Sequence, residues 1–437
     1  MRNIEQLHLN FNKTLFDEIC SIERLTDAFR EVKRNKGAAG VDGVEISIYA
    51  QNLSEELGQL KHEVENWTYK PQPVKLVEIA KPGGGVRRLG IPIVKDRVLQ
   101  TAIKNVLEPI IDPEFSENSY GFRPGKSQKQ ALEAAYRIVK RGKEYVVDMD
   151  LSRFFDRINH DRLIERLKNH INDTRVLRLI GITLRCGVEE NGKFRSTPCG
   201  SIQGSPLSPL LSNVVLDELD KELEKRGLEF CRFADDCNIF VRSEKAANRV
   251  RISITNFIEK KLKLIVNQEK TTVAKSKYVQ FLGMTILTVG LSISNKSMAK
   301  AMDKVKSLTP RGTNLSVEKT IERFNLWYRG WANYYEMTSF PSQLVKIEAH
   351  ARRRIRAQFL RDQKRKRYLY RKLVKRGVSK AIAAKYVYSN KKTWNMSACS
   401  AVHRAWPNQY FRDIGMYTHS DKRKLHWKKL KIYPALT

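Results

Sequence analysis

Residues 229–242 read E-F-C-R-F-A-D-D-C-N-I-F-V-R, which places two adjacent aspartates, Asp235 and Asp236, inside an aromatic and aliphatic run. The flanks, residues 230–233 and 237–241, read as two strands joined tightly at Ala234-Asp235-Asp236. That arrangement sets both carboxylates at a hairpin tip. Like charges withdrawn from water raise each other's pKa, so an isolated pair would be costly in such a setting. The cost disappears if something positive is held there.

A partner carboxylate must come from elsewhere in the chain. The segment V-V-D-M-D-L-S-R-F-F-D (146–156) is the best source, because Asp150 ends an apolar strand, and strand ends are where an open sheet displays functional groups. Asp148 lies two residues earlier and shares a strand face with Asp150, so pattern alone does not choose between them. For Asp148 and Asp156 the expected use is a helix cap or a salt bridge. Carboxylates from neighbouring strand ends make a hard oxygen cluster of the kind Mg²⁺ takes together with substrate phosphates. Two such ions about 4 Å apart activate an attacking hydroxyl and stabilise a leaving oxygen.

The charge balance agrees with a nucleic-acid substrate. Of 437 residues, 81 are Lys or Arg and 47 Asp or Glu, a formal net charge of +34. Such an excess implies an anionic partner, nucleic acid or an anionic membrane. The spanning-membrane reading fails, since no stretch approaches roughly 18 uninterrupted apolar residues. The opening M-R-N-I-E-Q-L-H-L-N-F-N-K lacks the apolar core of a secretory signal. The six cysteines (Cys20, Cys186, Cys199, Cys231, Cys237, Cys399) show no C-x-x-C spacing. Reduced thiols in a cytoplasmic location are therefore expected.

The first 65 residues read as helices, with Leu25, Phe29 and Val32 at helical spacing before Gly37. In P-V-K-L-V-E-I-A-K-P-G-G-G-V-R-R-L-G-I-P (73–92) β-branched residues flank a glycine tip, a hairpin signature. A helix follows, with Val98, Ala102, Val106 and Leu107 on one face. Residues 144–150 read as a strand, with a helix from Phe154 onward. Strands and helices alternate to about residue 290, an α/β arrangement. Then Ile321, Phe324, Tyr328, Trp331 and Tyr335 form a helical stripe read as packing. Residues 352–376 hold thirteen Lys or Arg against one Asp, interleaved with Phe359, Tyr368 and Tyr370. A second basic cluster occupies 421–431. Both read as a backbone-tracking nucleic-acid surface.

These residues, in order, resemble bacterial group II intron-encoded reverse transcriptases, or maturases. N-K-G-A-A-G-V-D-G-V (35–44) is similar to their N-terminal extension, I-A-K-P-G-G-G-V-R-R-L-G-I-P to the fingers hairpin, and S-Y-G-F-R-P-G-K-S-Q-K-Q-A (119–131) to the next block. V-V-D-M-D-L-S-R-F-F-D-R-I-N-H-D matches the first catalytic motif, S-I-Q-G-S-P-L-S-P (201–209) the block before the catalytic hairpin, and F-A-D-D the family's box. N-Q-E-K-T (267–271) and F-L-G-M (281–284) match the last polymerase blocks, and L-W-Y-R-G-W-A-N-Y-Y (326–335) the thumb, or X domain.

The resemblance implies a right-hand polymerase of α/β (α+β) class, with an antiparallel palm sheet, an α-helical thumb and a basic helical C-terminal region. The implied divisions are an N-terminal extension and fingers over 1–92, a fingers and palm core over 93–290, a thumb over 296–376 and a basic nucleic-acid-binding region over 377–437. It also implies roles. Asp150, rather than Asp148, would be the first metal ligand, with Asp235, Asp236 and the Leu151 backbone carbonyl completing a site for two Mg²⁺ ions, Mn²⁺ serving as a substitute. Phe155 would be the steric gate against a ribose 2′-hydroxyl, with Phe154 merely packed, since an apolar wall leaves the hydroxyl neither room nor a partner. Lys81 and Arg87 would hold the incoming deoxynucleoside triphosphate with Arg88 at the surface, the alternative being that the two arginines exchange roles. Gln203 and Gly204 would line the nucleotide pocket, and Phe281, Leu282 and Gly283 would form the primer grip. The implied partners are an RNA template, intron RNA and a DNA primer or target, with no membrane.

Two residues depart from the family's pattern: Ile202 stands where a proline is usual before Gln-Gly, and Ser205 where a glycine follows. No zinc-binding or His-rich cluster marks the optional endonuclease domain, and nothing suggests RNase H or a protease. The leading expectation is an RNA-directed DNA polymerase that also binds its intron RNA for splicing and mobility. Two alternatives stay open at this point: an intron-free relative used in host DNA repair or defence, and an RNA-binding splicing factor with a vestigial polymerase site. A viral RNA-copying RNA polymerase is opposed by Phe155.

Overall fold

A computed structural model describes residues 14–80, 86–190, 192–196, 199–201, 203–310, 312, 314–363 and 365–419. Lys81 with the glycine tip of its hairpin, Ile202 and the basic cluster 421–431 lie outside the described residues. The chain packs as two units that divide between Lys275 and Ser276.

The strands of the first unit are, in chain order, β1 (Val74–Ala80), β2 (Val86–Ile91), β3 (Tyr145–Met149), β4 (Val188–Glu190), β5 (Lys193–Arg195), β6 (Glu229–Phe233), β7 (Asp236–Val241) and β8 (Thr272–Lys275). They form two four-stranded sheets. One has the order β2-β1-β4-β5, with β1 and β2 as the expected antiparallel hairpin and a short parallel pairing of β1 with β4. The other, of order β6-β7-β3-β8, is antiparallel throughout, as expected of a palm. Its central strand β3 is paired on both sides, and Val146, Val147 and Met149 are all buried. That placement explains why the strand reads as a nearly unbroken apolar run. Helices Gln128–Lys140, Ser208–Lys225 and Glu244–Phe257 pack on this sheet. One apolar core continues from Phe16 in the N-terminal helices to Val266.

Two local expectations are corrected. The helix expected from Phe154 onward is broken: Phe155–Arg157 is a separate 3₁₀ turn, and the α-helix starts at His160, capped by the Asn159 side chain on the Arg162 N–H. Asp236 is also no part of the turn. It is the first residue of β7, paired with Phe233, so the connection is only Ala234 and Asp235.

The second unit opens with the hairpin β9 (Met284–Leu287) and β10 (Gly290–Ile293), and helices follow. The longest are Asn295–Leu308, Val317–Tyr334 and Ser342–Arg361. The aromatic stripe is core, as expected: Ile321, Phe324 and Tyr328 are buried, Phe324 and Tyr328 stack at 4.9 Å, and the Tyr328 hydroxyl donates to Glu348 at 2.8 Å.

The basic run 352–376 departs from its reading as one nucleic-acid surface, because, among the described residues, three of its thirteen bases face inward. Arg352, Arg354 and Arg356 are buried. Arg354 donates to the carbonyl and hydroxyl of Thr309, the C-cap of helix Asn295–Leu308. Arg356 donates twice to the carbonyl of Trp406, the C-cap of helix Ser400–Ala405, at 2.9 and 2.8 Å. Helix C-termini carry orphan carbonyls and partial negative charge, so a guanidinium is the matching partner. Of the interleaved aromatics, Phe359 stacks on Trp406 at 5.1 Å and Tyr370 is half-buried near Tyr388, whereas Tyr368 is exposed. The outward cations lie on helix Lys366–Lys375: Lys366, Arg367, Arg371 and Lys375 are exposed. Arg356→Met keeps the aliphatic stem and strands the Trp406 carbonyl. It is expected to lower stability by about 1–3 kcal/mol, seen as a lower Tm in calorimetry, with the RNA affinity of the folded protein unaltered.

Candidate functional site: carboxylates at the end of an antiparallel sheet

The antiparallel register that sets Met149 opposite Cys237 carries Asp150, the next residue, up to Asp236. Asp150 and the Ala234-Asp235 turn therefore meet at one end of the sheet. The turn has two central residues, and Ala234, the first, has φ +57°. Left-handed φ at the first central position marks the primed turns that suit the twist of a hairpin. For an alanine it costs roughly 1–2 kcal/mol.

The electrostatics show the strain expected of crowded acids. Burial first, then Asp235 and Asp150, push Asp236 up to about 6. Asp148 is driven up to about 7 by burial, then by Asp236 and Asp150. Among the described residues Asp148 is neither a cap nor a salt-bridge partner, which corrects the expectation. It sits mid-strand, opposite Asn238 on one side and Thr272 on the other, with no described cation paired to it. Asp156 likewise makes no ion pair with a described residue and lines a neighbouring cavity.

The segment 267–271 cradles Asp150, a role that sequence reasoning did not assign. The Asn267 N–H donates to the Asp150 carbonyl at 2.8 Å, the Asp150 N–H donates to the Thr271 hydroxyl at 3.2 Å, and Lys270 Nζ lies 3.5 Å from the Asp150 carboxylate. N-Q-E-K-T was visible as a block, but nothing in its spacing told which residue it would hold. Lys270 is largely exposed, so it offers weak compensation.

Among the described residues, no group of three or more His, Cys, Asp or Glu side chains is set to hold a metal ion by itself. The donor set nonetheless fits Mg²⁺, which takes one or two carboxylates and completes its shell with water and substrate phosphate. No described group donates to the Leu151 carbonyl, which leaves it open as a further oxygen donor.

Phe155 is half-buried while Phe154 is buried, their rings 5.2 Å apart. Gln203 accepts the Gly90 N–H of β2 on its carbonyl at 2.8 Å. Ser205 is turned toward the helix Val94–Ile111, where its hydroxyl donates to the buried Gln100 at 2.5 Å. A cavity of about 450 Å³ is lined by Gln203 and four arginines, Arg88, Arg153, Arg157 and Arg195. Arg88 is half-exposed and pairs with Glu78 at 3.2 Å and Glu190 at 3.5 Å. Strand alternation places Arg87 on the opposite face of β2 from Arg88.

Phe281, Leu282 and Gly283 belong to the second unit. Phe281 and Met284 exchange two backbone hydrogen bonds of 2.9 Å around Leu282 (φ +49°) and Gly283 (φ +77°), a two-residue turn with both φ positive. Tyr334 donates its hydroxyl to the Leu282 carbonyl at 2.8 Å.

Gly204 has φ +115°, and a Cβ there would lie 2.5 Å from the Gly90 carbonyl oxygen. Gly204→Ala is expected to push the 203–204 turn off β2. On the expectation that Gln203 and Gly204 line the nucleotide pocket, steady-state nucleotide incorporation should then show a KM for nucleotide raised by about tenfold or more, on the order of 1.4 kcal/mol.

Residues 79–286 match the reverse transcriptase (RNA-dependent DNA polymerase) family, and residues 298–377 match the group II intron maturase-specific domain. Protein YkfC of Escherichia coli (strain K12) is 33% identical over 296 residues, 57% of this chain and 76% of that protein. The group II intron-encoded protein LtrA of Lactococcus lactis subsp. cremoris is 36% identical over 210 residues, 47% of this chain and 34% of LtrA. The putative COX1/OXI3 intron 1 protein of Saccharomyces cerevisiae is 31% identical over 223 residues, covering 49% of this chain and 26% of that protein. Polymerase and maturase matches follow one another along the chain, and the chain belongs to the group II intron-encoded reverse transcriptase and maturase family.

Proposed function

We propose that this chain copies RNA into DNA and binds intron RNA to assist its splicing and mobility. The observation that carries this reading is the meeting of Asp150 with Asp235 and Asp236 at one end of the antiparallel sheet, in a chain of this family. Asp150, Asp235, Asp236 and the Leu151 carbonyl would hold two Mg²⁺ ions, with Mn²⁺ as a substitute. When bound, such ions supply Lewis-acid activation of an attacking hydroxyl and charge neutralisation at the leaving phosphate.

The chain's own groups do the rest. Phe155 walls off the space a 2′-hydroxyl would need, which selects deoxynucleotides. Gln203 and Gly204 shape the nucleotide pocket against β2. Lys81 and Arg88 hold the triphosphate, Arg88 standing on the Gln203 face of β2 where Arg87 does not, and Arg153, Arg157 and Arg195 beside Gln203 add an anion-attracting wall. Phe281, Leu282 and Gly283 form the primer grip. The exposed cations of helix Lys366–Lys375 track the RNA backbone, with Tyr368 offering a stacking face. Described residues include no helix long and apolar enough to cross a membrane. All six cysteines are free thiols, which supports a cytoplasmic site of action.

Primer extension on a DNA-primed RNA template with Mg²⁺ and deoxynucleotides tests the reading. Wild type should extend, and Asp235→Ala should lose activity by on the order of a thousandfold. Tight RNA binding with no extension by wild type would favour the splicing-factor alternative. Separately, replacing Lys366, Arg367, Arg371 and Lys375 with Gln should weaken RNA binding. It should also reduce the slope of log affinity against log salt by about 0.7 per lost phosphate contact. Unchanged salt dependence would place the RNA path elsewhere.

A further inference from the structure

One charged pair in the first unit is sealed from solvent: Arg232, three residues before Asp235, and Asp220 of helix Ser208–Lys225 are both 0% exposed. A buried pair of this kind is a weak source of stability, since apolar residues of similar volume serve as well or better. What sets this pair apart is where its remaining donor goes. Arg232 grips Asp220 through Nε (2.7 Å) and Nη2 (2.5 Å), and its Nη1 reaches both the Ala234 carbonyl (2.9 Å) and Asn213 Oδ1 (3.0 Å).

Asn213 closes the loop. Its Nδ2 donates to the Gly121 carbonyl at 2.9 Å, and the Gly121 backbone presses on the turn so closely that a Cβ there would overlap the Ala234 nitrogen. Flanking bonds fix that strap in place: the Tyr120 N–H donates to the Arg232 carbonyl (2.8 Å) and the Arg232 N–H to the Asn118 carbonyl (2.9 Å). The Ala234 peptide is therefore held at its carbonyl by Arg232 and crowded at its nitrogen by Gly121, with Asn213 bonding to both holders. Ala234 is the residue at positive φ, and the next two residues are Asp235 and Asp236.

We propose that Arg232, Asp220 and Asn213 are positioning residues that hold the strained Ala234-Asp235 turn, and so fix where the Asp235 and Asp236 carboxylates point. They touch no substrate. Their effect is exerted through the turn, on the step that depends on the two carboxylates. The proposal rests on the polymerase reading above. A mere folding role would serve as well with an apolar pair, whereas a positioning role requires the Nη1 bond to Ala234 and the Asn213 link.

The test uses the full chain in three forms: wild type, Arg232→Met/Asp220→Leu, and Asn213→Ala. Primer extension, RNA affinity, Tm and Mn²⁺ binding by electron paramagnetic resonance are measured on each. Expected for the double variant is a Tm within a few degrees of wild type, unaltered RNA affinity and nucleotide KM, kcat lowered tenfold or more, and weaker Mn²⁺ binding. Asn213→Ala should lower kcat in the same direction at full RNA affinity, and it stands in if the double variant does not fold. Wild-type kcat and Mn²⁺ affinity in a folded variant would overturn the proposal. If wild type binds Mn²⁺ but does not extend primers, the polymerase reading fails, and the Mn²⁺ affinities alone decide the positioning role. A wild type that binds no Mn²⁺ overturns both.

Discussion

Carboxylates that repel one another stay together only if the backbone holds them, and the first unit is built around that constraint. Burial first, and then the crowding of Asp148, Asp150 and Asp236 on two paired strands, raises the pKa values of Asp148 and Asp236. Within the described residues the compensation on hand is one exposed lysine, Lys270, at 3.5 Å from Asp150. The opposing forces are covalent and hydrogen-bonded: the β3–β7 ladder, the cradle of 267–271 under Asp150, and a two-residue turn that carries Asp235. Cations held at such a site would stabilise it, because the charged carboxylates would then gain a partner instead of repelling one another.

Positive charge in this chain stands in two separate settings, and burial distinguishes them. Arg232 in the first unit and Arg354 and Arg356 in the second are interior groups whose donors end on carbonyls or a carboxylate. These arginines fasten strands, turns and helix ends. The cations Lys366, Arg367, Arg371 and Lys375 of helix Lys366–Lys375 are instead exposed. A guanidinium suits the interior task better than an ammonium, because its planar fork satisfies several acceptors at once.

Much of the candidate site was legible in the chain. The acidic turn, the apolar strand ending in Asp150 and the glycine hairpin each carry a local signature, and their order along the chain carries the resemblance. Other features were not legible. Phe155 lies in a 3₁₀ turn because Asn159 caps the helix that follows, and apolar spacing alone extended that helix too far. Asp148 looked like a cap or an ion-pair partner because so many bases are present, yet its strand is paired on both sides with no cation opposite. The arginines of 352–376 looked uniform because composition does not say which face of a helix is covered.

What the sequence determined by itself was the set of elements and the chemical type of the site, since periodicity, turn residues and adjacent acids are properties of neighbours along the chain. Only the tertiary structure decided which groups hold the acids in place. Arg232 meets Asp220, Asn213 and the backbone of Ala234, while Gly121 closes on the turn from another segment altogether. These contacts join residues far apart in sequence, and no local pattern encodes them. They follow from how the sheet and its covering helix pack, which is a property of the whole unit.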